Sequence, residues 1–169
     1  MQPRTRFLVV LTLAAQGLAC SASAAELSAD CKPSVAAMEK TLMADHTAVS
    51  THGGDTMRGV TLAGQSWVQA NGAWRKSPIT PQETLVMAHD NLKGAKQFSC
   101  KALADSVVDG TPVAVYATHT VSGDDDVMDS RVAVSKSTGL VVSVESRAGG
   151  EGGLGMVTRY AYGNVKAPM

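Results

Sequence analysis

Apolar residues recur at helical spacing in two stretches of this chain and at every second position through much of the rest. In the first stretch Pro33 suits a first helical position, and Val35, Met38 and Leu42 follow at i, i+3 and i+7. This predicts a helix from Pro33 to Ala44. The second is better signalled. Thr80-Pro81-Gln82-Glu83 combines an N-cap threonine, a proline at the first helical position and a glutamate placed for a capping box. Leu85, Ala88 and Leu92 form its apolar stripe, and Gly94 offers a C-terminal stop.

The alternating stretches predict strands. Gln65–Ala70 and Ala73–Lys76 flank Asn71-Gly72, a pair that tolerates positive φ and so favours a tight hairpin. In that register Trp67 and Trp74 share a face, diagonally across the hairpin. Phe98–Val108 reads as one strand carrying Cys100. Three longer strands follow at Pro112–Ser122, Val127–Ser135 and Leu140–Arg147. Val113, Val115, Ala117 and Val121 share a face of the first, Met128, Val132 and Val134 of the second, and Leu140, Val142 and Val144 of the third. The glycine-rich stretch 149–153 reads as a loop leading to a last strand, Leu154–Gly163, in which Met156, Tyr160 and Tyr162 are in phase. The expected fold is α+β, a single domain in which a curved antiparallel sheet of about six or seven strands packs on two helices.

The N-terminus changes where such a domain would work. Arg4 and Arg6 precede an apolar run from Phe7 to Ala15, and Ala22-Ser23-Ala24 fits a small-residue cleavage pattern. Residues 1–24 therefore read as a secretory signal, with residues 25–169 exported. The run is too short to span a bilayer, which takes roughly 20 residues. Cys20 offers an alternative, lipid anchoring, but Gly17 and Leu18 stand where lipoprotein signals carry a leucine and a small residue. Release into a bacterial periplasm as a monomer is the expectation.

Without Cys20, two cysteines remain, Cys31 and Cys100, and an even pair in an exported chain predicts one disulfide. Two free buried thiols are the alternative. The whole chain has 15 basic and 15 acidic residues, and loss of Arg4 and Arg6 leaves 13 against 15, a net charge of −2. There is no basic run, so the sequence offers no concentrated positive face for nucleic acid.

Reactive chemistry finds little support in the motifs. His46, His52, His89 and His119 have no tight metal-ligand spacing, and the first two could share a loop or strand. Asp124-Asp125-Asp126 lacks the alternation that wraps carboxylates round a calcium ion and reads as a solvated turn. There is no G-x-S-x-G elbow, and glycines 149–153 lack the G-K-[ST] of a phosphate loop. No cofactor, metal or catalytic activity is expected.

The order of these elements, with "GQSWVQANGAWRKSP", "VAVSKSTGLVVSVESR" and "TRYAYGNVKAP" along it, resembles the periplasmic lipoprotein-carrier superfamily, the LolA/LolB/LppX-like group. The resemblance implies a bent sheet wrapped on helices around an apolar cavity. It would make the chain a non-catalytic binder of a lipid, an acyl chain or another hydrophobic ligand. Trp67, Trp74, Met87, Tyr116, Met156 and Tyr160 are the expected lining. The Cys31/Cys100 pair departs from that family's pattern. A protein-interaction module, of inhibitor or immunity type, is the alternative.

Overall fold

The period-two stretches all join one open antiparallel sheet. The structure, a computed structural model, describes residues 27–149 and 155–168. The expected signal segment, Cys20 and most of the glycine-rich stretch lie outside those residues. The described elements are α1 (Lys32–Met43), β1 (His46–His52), β2 (Asp55–Leu62), β3 (Gln65–Ala70), β4 (Ala73–Lys76), α2 (Pro81–Gly94), β5 (Gln97–Ala102), β6 (Ser106–Val108), β7 (Thr111–Val121), β8 (Val127–Ser135), β9 (Val141–Ala148) and β10 (Gly155–Ala161). The sheet order is β4-β3-β2-β1-β10-β9-β8-β7-β5, with β6 also paired to β7.

Ten strands among the described residues exceed the six or seven expected, for two reasons. β1 and β2 are rich in threonine and serine and carry little apolar alternation, so their periodicity is faint; Gly53-Gly54, at φ +55° and +95°, turns one into the other. The expected strand Phe98–Val108 is split. Three residues, Leu103, Ala104 and Asp105, span the gap that Ala114 and Val115 span on β7, and this bulge separates β5 from β6. The Asn71-Gly72 turn is as expected, with both φ values positive, at 52° and 78°.

Cross-strand partners share a face, so the register sorts the side chains into two sets. On the helix side, Val132, Val134 and Val141 bury against Ala37 of α1, with Met38, Tyr116, Val144 and Tyr160 packed around them. On the opposite side, Val113, Val115 and Ala133 form a second small core with Leu103, Val108 and Val142. A register shift between Ala133 and Val134 sends Val142 and Val144 to different clusters, where simple alternation puts them together.

α1 approaches the sheet through small residues. Ser34, Ala37 and Thr41 are its buried positions, and they let its backbone lie close over β8 and β9. The expected stripe of Val35, Met38 and Leu42 is only half-buried. α2 buries Pro81 alone. Among the described residues no helix is long and apolar enough to cross a membrane.

Candidate ligand-binding groove

The half-buried stripes of both helices face one cavity of 360 Å³ between them and the sheet. Val35, Met38 and Leu42 line it from α1, Leu85, Ala88 and Leu92 from α2, and Phe98, Met128, Val132 and Val144 from the strands. The largest fully buried side chains elsewhere are Val113, Val141, Thr41 and Cys31. The chain thus packs its core with small and β-branched residues and leaves leucine, methionine and phenylalanine around a hollow.

α1 is held at both ends. Cys31 and Cys100 form the expected disulfide, which ties the start of α1 to β5 across a sequence separation of 69. At the other end the Val141 N–H donates to Thr41 Oγ1 at 2.9 Å, and Lys40 Nζ donates to the Thr138 carbonyl at 2.6 Å. α2 has lighter ties. Its start is a full capping box, with the Glu83 N–H donating to Thr80 Oγ1 at 3.2 Å and the Thr80 N–H to Glu83 Oε2 at 2.8 Å. These bonds hold the Glu83 carboxyl below its ordinary pKa. Across the rim, His89 Nε2 lies 2.7 Å from Glu39 Oε1 and joins the two helices.

The floor carries hydroxyls. Ser130 and Ser146 lie 3.0 Å apart, with Thr118 and Thr120 beside them. Beyond the end of α1, His46 is buried; its Nδ1–H donates to the Ala44 carbonyl at 2.8 Å, and burial lowers its pKa. Tyr160 meets the His46 ring edge-on with centroids 5.5 Å apart, and burial raises the pKa of Tyr160. Burial also pushes the Tyr162 hydroxyl up to about 12.

Two larger hollows are lined differently. One of 690 Å³ on the opposite sheet face is bordered by Lys101, His119, Asp129, Arg131, Glu145 and Arg147. One of 950 Å³ at the β7–β8 turn is bordered by Asp90 and Asp124 to Asp126. The four histidines are dispersed, and the described residues hold no group of three His, Cys, Asp or Glu side chains that could share a metal ion.

The sequence-expected lining residues separate. Tyr116 and Tyr160 come together on the helix side, packed on the core beside the groove. Met156 is on the same face of β10, but it borders the charged hollow rather than the groove. Met87 points away from the groove and is 52% exposed. Trp67 pairs with Val60, which pairs with Thr47 and so with Ala161, whose side of β10 also carries Arg159 and, through it, Ser143 and Ala133. Trp67 and Trp74 therefore share a face, as expected, but it is the face away from the helices. Val35, Leu42, Leu85 and Leu92, which line the groove, were visible in the sequence only as the apolar stripes of the two helices.

An open antiparallel sheet with two helices on one face has solved counterparts. MucB matches with a TM-score of 0.53 and 17% identity, over 83% of this chain and 61% of MucB. The chain shares its fold with MucB. MucB in complex with MucA(peri) matches with a TM-score of 0.50 and 14% identity, over 82% of this chain and 57% of that one. The chain thus spans about three-fifths of MucB. LppX of Mycobacterium tuberculosis is a looser match, with a TM-score of 0.46 and 13% identity over 82% of this chain and 97% of LppX. No family model and no curated protein matches the sequence.

Proposed function

We propose that this chain is an exported, non-catalytic binding protein of the periplasm that holds a hydrophobic ligand, a lipid or acyl chain, in the groove between α1, α2 and the sheet. One observation carries the reading. The bulkiest aliphatic side chains of both helices converge on an unfilled apolar cavity while valine and alanine fill the core. Its 360 Å³ lies at the small end of ligand pockets, which run from about 300 to 1,000 Å³, and suits one slender chain. Each buried methylene would contribute about 0.8 kcal/mol, and the Glu39–His89 pair at the rim would meet a polar end. The exported location rests on the signal-like residues 1–24.

The test is a titration of a fluorescent fatty acid into wild type and Leu85→Asp. A charge placed among the lining side chains should weaken binding by roughly tenfold or more, the equivalent of losing one buried leucine. Unfolding should stay at the wild-type midpoint, since Leu85 is only half-buried. Equal binding by both, or none by either, would remove the groove as the site.

A protein partner is the second reading, favoured by the solved complex of MucB with MucA(peri), a chain of this fold seated with a protein. Native mass spectrometry of the protein from an envelope fraction separates the two. Extra mass of lipid size supports the groove, whereas a stoichiometric polypeptide supports the partner.

A further inference from the structure

The tryptophan hairpin has no part in the groove, and the register shows what accompanies it. Val49 of β1 faces Arg159 of β10 on one side and Arg58 of β2 on the other; Arg58 leads through Gln69 to Trp74. The neighbouring row runs from Val60 through Trp67 to Lys76. Arg58, Lys76 and Arg159 are exposed, Val49 is 37% exposed, and both tryptophans are half-buried. These side chains lie together on the sheet face away from the helices.

Among the described residues, no Asp or Glu on β1, β2, β3, β4 or β10 shares that face. Asp55 pairs with His52 and belongs to the helix side. Asp45 lies beyond the end of β1, where it accepts from the Ala63 N–H at 2.8 Å. A carboxylate from outside these strands, Asp109 of the β6–β7 turn, meets Arg159 at 2.9 Å. Farther along the same face, on β8 and β9, Asp129 and Glu145 border the charged hollow among Lys101, Arg131 and Arg147, and Asp90 and Asp124 to Asp126 lie around the hollow beside the end of α2. The part of this face formed by β4, β3, β2, β1 and β10 is therefore basic, although the sequence has no charged block that would reveal it.

We propose that this face docks the protein on an anionic phospholipid bilayer. Guanidinium groups match phosphate in charge and geometry. Indole rings favour the headgroup level, where the apolar body is buried and the N–H stays wet. Each cation near such a surface strengthens association about fivefold. The inference does not depend on what the groove holds.

Trp67 and Trp74 are the chain's two tryptophans, so intrinsic fluorescence reads this face alone. The experiment adds intact protein to phosphatidylcholine vesicles with and without roughly one-third phosphatidylglycerol, some with brominated acyl chains. Salt is raised from about 0.01 M to about 0.15 M, which shortens the screening length from about 30 Å to about 8 Å. The expected result is a blue shift and quenching with the anionic vesicles only, weakened by salt. Arg58→Gln and Lys76→Gln should each weaken docking about fivefold, and together about 25-fold. Leu85→Asp, which injures the groove, should dock as wild type does. Tryptophan emission indifferent to anionic vesicles at low salt would overturn the proposal and leave the face to a protein partner. Vesicle binding that ignores Arg58→Gln and Lys76→Gln would overturn it as well.

Discussion

Thr41 of α1 and Val141 of β9, a hundred residues apart, are both fully buried and joined by a backbone-to-side-chain hydrogen bond of 2.9 Å. The Tyr162 hydroxyl donates to the Val141 carbonyl and lies 3.3 Å from Thr41 Oγ1. One threonine thus serves the start of β9, where the ladder has just shifted register, and fixes the C-terminal end of α1. Thr41→Val keeps the shape but leaves the Val141 N–H buried without an acceptor. It should cost about 1–3 kcal/mol, read as a lower denaturant midpoint with an unchanged slope, while Thr41→Ser should recover most of it.

The disulfide supplies the other anchor of α1. Replacing Cys31 and Cys100 by serine frees a loop closed across a separation of 69, for which loop-closure entropy predicts a loss of up to roughly 4 kcal/mol. The thermal midpoint of the double variant should fall, and the midpoint of the wild type under reductant should fall with it. A midpoint that ignores both changes would show that packing alone holds α1.

Capping of α2 makes a more local prediction. Thr80→Ala removes the acceptor for the Glu83 N–H and one partner of the Glu83 carboxylate. The cost should be about 1 kcal/mol. Because α2 buries only Pro81, amide exchange should quicken mainly within residues 81–94.

His46 sets a pH dependence whose sign follows from its burial. Its folded pKa lies below the ordinary 6.5, so the unfolded chain takes up a proton that the folded site resists. The contribution is complete above about pH 6.5 and is lost as pH falls from there through the folded pKa. Denaturation at a series of pH values should show stability declining below that point, with a shallower slope in His46→Gln. A wild-type curve that stays flat between pH 7 and the carboxylate range would contradict this assignment, which rests on the depressed folded pKa.

Local chemistry was legible wherever it acts over a few residues. Asn71-Gly72 announced its hairpin, Thr80 and Glu83 their capping box, and the cysteine pair its bridge. Relations between elements were not. Periodicity showed that Val35, Met38 and Leu42 form one face of α1, but it could not show that Ser34, Ala37 and Thr41 would take the close contact and leave that face over a cavity. Alternation placed Trp67 and Trp74 side by side without saying which side the helices occupy. In β9 the register shift opposite Ala133 and Val134 of β8 moved Val142 away from Val144, and no residue type at that point marks it. The groove itself was hidden for a physical reason. An apolar stripe has the same pattern whether another side chain fills the space before it or nothing does.

The sheet is open, yet neither of its ends offers a clean template to a second molecule. On one side it stops at β4, only four residues long and bearing exposed Arg75 and Lys76. On the other, the β5–β6 edge is interrupted by the three-residue step from Leu103 to Asp105. Short, charged and broken borders are how sheet proteins avoid growing into one another. A molecule that leaves large apolar side chains facing a hollow would otherwise be a ready seed for fibres; here the rims of the sheet supply the protection that its interior does not.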